Sequence, residues 1–172
     1  MKLHLIDSDA AVALALQAQF GDLSDVSVAQ GDLLKAAEGC IVSPANGYGF
    51  MDGGIDKAYV SYFGAEIQRR VITAIASRPE GHLPVGASML VPTGHAVIRF
   101  LLLAPTMVTP EFIPAENAYR AMRAVLRLAD QYSEKLAAIY CPGLGTGVGG
   151  LSPSVAADQM ASAYRDFLAS NR

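Results

Sequence analysis

Short continuous runs of hydrophobic residues alternate along this chain with longer segments of helical periodicity. A run without polar alternation is typical of a strand that is covered on both faces. The strand-like runs are residues 2–6, 26–29, 40–43 and 136–140. The helical segments are residues 8–20, 54–77, 114–132 and 153–169. We expect Asp7 or Ser8 to cap the first helix and Gly64 to interrupt the second.

Two further apolar segments, residues 87–91 and 96–103, flank Pro92 and Gly94 and predict a β-hairpin. Strands that alternate with helices predict a largely parallel sheet, and the hairpin makes that sheet mixed. The expected fold class is α/β, with three α/β/α layers and a mixed sheet of about six strands. A length of 172 residues suits one such domain with a full core.

Two glycine-rich loops follow strand-like runs, at residues 46–54 and 141–150. In open α/β sheets, ligands bind outside the carboxyl ends of the strands. Each loop also leads into a helix, whose first backbone N–H groups lack partners within the helix and whose dipole favours an anion. The two loops therefore predict a nucleotide-like diphosphate held between them.

Common phosphate-binding motifs do not account for these loops. Residues 145–150 match Gly-x-Gly-x-x-Gly, but a dinucleotide fingerprint opens a βαβ unit, and only one helix follows here. The chain also lacks the Gly-Lys-Ser/Thr sequence of a Walker A loop. A plain strand–helix connection is the alternative. The density of glycine favours a ligand, because each glycine costs conformational entropy that a turn alone does not require.

Composition narrows the range of partners. The net charge is −3 and no stripe of Lys and Arg is present, so we expect no nucleic-acid partner. Residues 10–16 are apolar but follow Asp7 and Asp9, where a signal peptide carries positive charge. We therefore expect a cytoplasmic protein without membrane association. Cys40 and Cys141 lack metal-ligand spacing and are expected to be buried, reduced thiols.

Taken in order, the motifs resemble the macro domain family. Residues 41–46 (Ile-Val-Ser-Pro-Ala-Asn) resemble the family's strand end Asn-Ala-Ala-Asn, and residues 53–58 (Gly-Gly-Ile-Asp-Lys-Ala) resemble its glycine run and helix start. Residues 31–33 resemble its Gly-Asp-Ile, and residues 145–148 resemble its second loop, Gly-Thr-Gly-Ile. The resemblance covers residues 3–168.

This resemblance implies an ADP-ribose pocket that requires neither a cofactor nor a metal. Asp32, followed by Leu33, would accept a hydrogen bond from the adenine amino group, and Asn46 would bind the distal ribose. Backbone N–H groups on the two sides of the diphosphate would come from Gly53, Gly54, Ile55, Gly145, Thr146, Gly147 and Val148. The residues alone leave two alternatives open, with Asp32 as a turn residue that caps the next segment and Asn46 in an Asx turn.

The same resemblance implies a possible enzyme. In the hydrolytic branch of the family, the aspartate that matches Asp56 positions or activates a water, and Asn46 would be the positioning group. The substrates would be mono-ADP-ribosyl protein, O-acetyl-ADP-ribose or ADP-ribose 1''-phosphate. The alternatives are a non-catalytic reader with the same pocket and a scaffold whose pocket has decayed. An alternative to the catalytic role is that Asp56 only stabilises the N-terminus of its helix through the helix dipole. The sequence does not determine the oligomeric state.

The chain departs from the family pattern at Ser43, Pro44, Met51, Asp52, Val60 and Gly149. Asp52 adds negative charge beside the expected diphosphate. Gly149 replaces an aromatic residue that often covers the distal ribose, and Tyr48 or Phe50 is an alternative source of stacking. These departures bear more on hydrolysis than on binding.

Overall fold

The computed structural model describes residues 1–170. The strands are β1 (Lys2–Asp7), β2 (Val26–Gln30), β3 (Cys40–Ser43), β4 (Met89–Pro92), β5 (Phe100–Leu103) and β6 (Ala138–Cys141). The helices are α1 (Ala10–Phe20), α2 (Leu33–Ala36), α3 (Gly54–Phe63), α4 (Glu66–Ala76), α5 (Glu116–Gln131) and α6 (Pro153–Ser170). Every strand and long helix expected from the hydrophobic pattern is present, and Gly64 separates α3 from α4 as expected.

The six strands form one mixed sheet with the order β2-β1-β6-β3-β5-β4. β1 pairs in parallel with β2 and β6, and β3 pairs in parallel with β6 and β5. β4 runs antiparallel to β5 as the first arm of the hairpin. β3 and β6 are distant in sequence but adjacent in the sheet, so the loops that follow them begin at the same edge.

Helices cover both faces of the sheet. One core contains residues of α1, α5 and α6 together with Val42 of β3, and the other contains residues of α3 and α4 together with Ile41 of β3. Successive strand residues point to opposite faces. Both faces of β3 therefore need apolar side chains, which explains its unbroken hydrophobic run and confirms the three-layer arrangement.

The hairpin strands are shorter than the sequence predicts. Nδ1 of His95 accepts hydrogen bonds from the backbone N–H groups of Val97 at 3.3 Å and Ile98 at 3.1 Å. An imidazole rather than a neighbouring strand therefore satisfies these groups. β5 consequently begins at Phe100, although the apolar segment begins at residue 96.

The cap of α1 also differs from the expectation. Asp9, and neither Asp7 nor Ser8, is the cap, because its Oδ1 accepts a hydrogen bond from the N–H of Ala11 at 2.8 Å. The Asp7 carboxylate accepts instead from the N–H groups of Asp9 at 2.9 Å and Gly143 at 3.0 Å. Asp7 thus ties the end of β1 to the start of the second glycine loop.

Both cysteines, Cys40 and Cys141, are buried free thiols, as expected. Burial raises the pKa of the Cys40 thiol to about 12 and raises that of Cys141 further, so both remain protonated near neutral pH. No helix within residues 1–170 has both the length and the apolar character needed to cross a bilayer.

Candidate functional site

A cleft of about 610 Å³ lies where β1, β3, β5 and β6 end at their carboxyl termini. Both glycine loops line this cleft, the first after β3 and the second after the neighbouring strand β6. The residues singled out from the sequence that line it are Asp32, Leu33, Asn46, Gly53, Gly54, Ile55, Asp56, Gly145, Thr146, Gly147 and Val148. The fold thus brings every one of them to a single place.

The first glycine loop is held by the side chain of Asn46. Its Oδ1 accepts hydrogen bonds from the N–H groups of Tyr48 at 3.1 Å and Phe50 at 3.2 Å, and its Nδ2 donates to the carbonyl of Phe50 at 2.7 Å. This is the Asx turn that the sequence left open as an alternative. Asn46 keeps one Nδ2 hydrogen for any other partner.

Helix α3 begins with unpaired backbone donors. Gly53 precedes the helix and provides no side-chain cap. The N–H groups of Gly54, Ile55 and Asp56 have no acceptor within residues 1–170. Gly54 has φ of 55°, a left-handed conformation that favours glycine. A Cβ added at Gly53 or Gly54 would meet no atom of residues 1–170 within 4 Å, so this end of the helix is open in the described part of the chain.

The second loop offers a matching set of donors. The N–H groups of residues 145–149 make no hydrogen bond to any atom of residues 1–170. The loop is closed by two hydrogen bonds, from the N–H of Gly150 to the carbonyl of Gly147 and from the N–H of Leu151 to the carbonyl of Gly145, both at 3.0 Å. Its shape is therefore fixed while its free N–H groups remain available.

Asp56 is the buried acid of the cleft. It is 8% exposed, and Ser43 Oγ donates a hydrogen bond to its Oδ1 at 2.6 Å. Burial raises the pKa of Asp56 to about 6, and the hydrogen bond from Ser43 opposes that rise. Three residues further along α3, the hydroxyl of buried Tyr59 donates to the carbonyl of Val42 at 2.8 Å. These two bonds fix α3 against the end of β3.

Asp32 forms the cap that the sequence left open as an alternative. Its Oδ1 accepts from the N–H of Leu34 at 3.0 Å, which starts the short helix α2, and its Oδ2 lies 3.7 Å from Lys35 Nζ. The carboxylate remains about half exposed at the cleft. Leu33 is buried beneath it in the core of α3 and α4.

The lining of the cleft is acidic. Among residues 1–170 it includes four aspartates and neither lysine nor arginine. The aspartates are Asp7, Asp32, Asp52 and Asp56. No cluster of His, Cys, Asp or Glu in the described part of the chain is arranged to hold a metal ion. An anion in this cleft would therefore depend on backbone N–H groups for its stabilisation.

Comparison with known proteins gives the family. Residues 42–160, which include both glycine loops and Asp56, match the family model described as Macro domain. The chain belongs to the macro domain family. An uncharacterized protein of Aquifex aeolicus is 38% identical to this macro domain over 144 residues, which cover 83% of this chain and 82% of that protein. An uncharacterized protein of Aeropyrum pernix is 35% identical over 139 residues, covering 80% of this chain and 69% of that protein.

Solved macrodomain structures have the same fold. The Oceanobacillus iheyensis macrodomain with ADP aligns with a TM-score of 0.69 and 26% identity, covering 82% of this chain and 75% of that one. The macrodomain of Mycobacterium tuberculosis DarG aligns with a TM-score of 0.69 and 22% identity, covering 80% and 88% of the two chains. The second likeness supports the fold alone.

The structure gives a physical reason for three departures from the family pattern. Ser43 holds Asp56, as described above. The Met51 side chain is 2% exposed and packs into the core, while its N–H donates to Gln68 Oε1 at 3.2 Å. At Gly149, an added Cβ would lie 2.8 Å from the carbonyl oxygen of Gly145. The backbone of this macro domain therefore leaves no room for an aromatic residue at position 149.

Sequence reasoning missed some residues of the cleft. Asp7 and Ser8 line it because β1 ends beside β6. Of the two aromatic residues that the sequence offered for stacking, Phe50 lines the cleft and Tyr48 does not. The end of a strand-like run at Asp7 was a usable signal. The adjacency of β1 and β6 was not available from the sequence.

Proposed function

We propose that this macro domain binds ADP-ribose or a derivative, with the diphosphate between the two glycine loops. The observation that carries the proposal is that two sets of unpaired N–H groups, at Gly54–Asp56 and at residues 145–149, line one cleft. Such groups stabilise phosphate oxygens without cationic side chains. The solved Oceanobacillus iheyensis macrodomain with ADP supports the nucleotide part of the ligand.

In this proposal the adenine lies near Asp32 and Leu33, and the distal ribose lies near Asn46 and Asp56. The half-exposed Asp32 carboxylate can accept a hydrogen bond from the adenine amino group while it still caps α2, because each carboxylate oxygen has two acceptor sites. Asn46 contributes one remaining N–H donor to the ribose and chiefly maintains the loop.

The test of this proposal is calorimetric titration of the chain with ADP-ribose, with AMP and ATP as controls. We expect ADP-ribose to bind more tightly than AMP, because only ADP-ribose has both a diphosphate and a second ribose. Absence of ADP-ribose binding at millimolar concentration would refute the proposal and favour a scaffold with a decayed pocket.

We further propose hydrolysis of an ADP-ribose derivative as a second function, with Asp56 as the general base. Its support is a buried carboxyl that lines the cleft and whose pKa of about 6 suits proton transfer near neutral pH. Asp56 would accept a proton from a water while the oxygen of that water bonds to the electrophilic atom of the linkage to be cleaved. The linkage would break, and the leaving group would take the proton back from Asp56 as it departs.

The substrates to test for hydrolysis are mono-ADP-ribosyl protein, O-acetyl-ADP-ribose and ADP-ribose 1''-phosphate. We expect Asp56→Ala to abolish turnover while the affinity for ADP-ribose changes only a few-fold. Binding of ADP-ribose without turnover of any of the three substrates would instead identify a reader module.

A further inference from the structure

We propose that the cleft has a subsite for a planar cationic group attached to the terminal ribose of ADP-ribose, formed by the ring of Phe50 and the carboxylate of Asp52. The inference rests on the proposed ADP-ribose site and adds a ligand class to it. Both residues line the cleft and belong to the loop that runs from Asn46 to the start of α3.

The Phe50 ring is exposed, yet its backbone is fixed. The side chain is 51% exposed, while the backbone of Phe50 makes two hydrogen bonds with Asn46, at 2.7 and 3.2 Å. The next residue, Met51, is anchored in the core and bonded to Gln68. A ring held in this way stacks on a ligand with little loss of conformational entropy, which is the condition for a preformed binding surface.

Further rings extend this surface. The ring centroids of Tyr48 and Phe50 are 6.3 Å apart, and those of Tyr48 and His82 are 5.9 Å apart. Tyr48 is itself 42% exposed. Aromatic faces of this kind attract cations and stack on planar groups. Phe50 lines the cleft, and Tyr48 and His82 continue the row of rings outside the cleft lining.

Asp52 supplies the charge that points to a cation. It is exposed, lines the cleft and forms no ion pair with any residue in the range 1–170. A diphosphate beside this carboxylate is repelled, since no lysine or arginine of the described chain lines the cleft. A cation on the ligand reverses the sign of that interaction. The nicotinamide ring of NAD⁺ and the guanidinium of ADP-ribosylated arginine both have this chemistry.

The test measures the affinity of the full chain for NAD⁺, NADH, ADP-ribosyl-arginine and ADP-ribose. NADH is the matched control, because its dihydronicotinamide ring is uncharged. We expect NAD⁺ to bind at least about threefold more tightly than NADH. Comparison of NAD⁺ with ADP-ribosyl-arginine shows which cationic ligand the subsite prefers. If NAD⁺ binds more tightly, the ligand is the dinucleotide. If ADP-ribosyl-arginine binds more tightly, the ligand is a modified protein.

Two variants separate the contribution of the Phe50 ring to binding from that of the Asp52 charge. We expect Phe50→Leu to bring the NAD⁺ to NADH affinity ratio close to one. We expect Asp52→Asn to lower the same ratio while it tightens the binding of ADP-ribose, because a negative charge beside the diphosphate is removed. Phe112→Leu is the matched control: this ring is 88% exposed but does not line the cleft, so the ratio should not change.

Equal affinity for NAD⁺ and NADH in the unaltered chain would overturn the proposal, and so would a ratio that neither Phe50→Leu nor Asp52→Asn reduces. If ADP-ribose still binds in that case, the proposed function stands without this subsite. If ADP-ribose itself does not bind, the proposed function is refuted as well. Melting curves of the variants establish that they fold, which we expect because both altered side chains are exposed.

Discussion

Asp56 and Ser43 together determine the protonation chemistry of the cleft. Burial favours the neutral carboxyl, whereas the 2.6 Å hydrogen bond donated by Ser43 favours the carboxylate. Tyr59, three residues along α3, is influenced by the charge of Asp56, of Asp7 at the end of β1, and of the two buried thiols. Burial raises the pKa of both thiols and of Tyr59, so these three groups stay neutral near pH 7.

Ser43→Ala should raise the pKa of Asp56 above about 6, because it removes a hydrogen bond that stabilises the carboxylate. If Asp56 is the general base, the acid limb of kcat/KM moves to higher pH. The carboxyl carbon resonance of Asp56, followed by NMR as a function of pH, measures the same shift without turnover. Ser43→Thr retains the hydroxyl and should restore the original midpoint. A midpoint that is unchanged in Ser43→Ala would contradict the prediction.

Asp56 should also make the stability of the fold depend on pH. Its pKa is about 6 in the folded state, whereas the ordinary pKa of an aspartate is 3.8, so the folded state binds the proton more tightly. The stability that this proton provides is fully present below about pH 4 and is lost as the pH rises through 6. Asp56→Asn should therefore increase the free energy of unfolding at pH 8 by up to about 3 kcal/mol, and much less at pH 4.

Denaturant titrations at pH 4 and pH 8 measure this difference. Asp130→Asn alters an exposed carboxylate on α5 and is the control for the loss of one negative charge. Equal effects of Asp56→Asn at the two pH values would show that the buried carboxyl is not the source of the pH dependence.

At the scale of the elements, the start of α3 is the most informative feature. A helix without a side-chain cap loses stabilisation at its N-terminus. The open N–H groups after Gly53 are nevertheless accessible, which is the arrangement that an anion stabilises. Fixation of α3 by Ser43 and Tyr59 maintains the helix in the absence of a cap.

Gly53→Glu should weaken ADP-ribose binding by at least about tenfold at low salt, because it places a carboxylate beside the proposed diphosphate. The backbone at Gly53 is extended, and an added Cβ meets no atom within 4 Å, so the variant should fold. Gly53→Gln is the matched neutral variant and should bind more tightly than Gly53→Glu. Calorimetry at two salt concentrations checks this, and equal weakening by both variants would indicate a steric effect instead.

The hydrophobic pattern predicted strands well where both faces of the strand are buried. β3 was predicted with its observed ends, because all four of its residues are buried. The hairpin is present as predicted, but the pattern placed the start of β5 too early, because His95 satisfies backbone groups of the apolar segment before Phe100. It also missed α2, whose four residues are too few to show a helical period. In both places a side chain, His95 or Asp32, determines the local structure.

At the scale of the whole molecule, strand order creates the site. β6 inserts between β1 and β3, so residues near both ends of the chain and from its middle meet at one edge of the sheet. The same strand order also restrains the second glycine loop. The Asp7 carboxylate at the end of β1 accepts a hydrogen bond from the N–H of Gly143, just after β6.

Binding of ADP-ribose should protect both glycine loops from hydrogen exchange at the same time. We expect slower amide exchange at residues 54–56 and 145–149 in the complex, because the same diphosphate would occupy both sets of N–H groups. Residues 93–98, in the hairpin turn, are an internal control and should not change. Protection of one loop alone would contradict a ligand held between the two.

The sequence by itself determined the α/β class, the order of the strands and long helices, and the two glycine loops and Asp56 as parts of the cleft. These features depend on local patterns: apolar runs, glycine spacing and helix starts. The tertiary structure alone decided how those residues are engaged. Asn46 is committed to its own loop, Ser43 bonds to Asp56, and Phe50 stands exposed at the cleft entrance. Hydrogen bonds and burial depend on neighbours that are remote in sequence, so no local pattern encodes them.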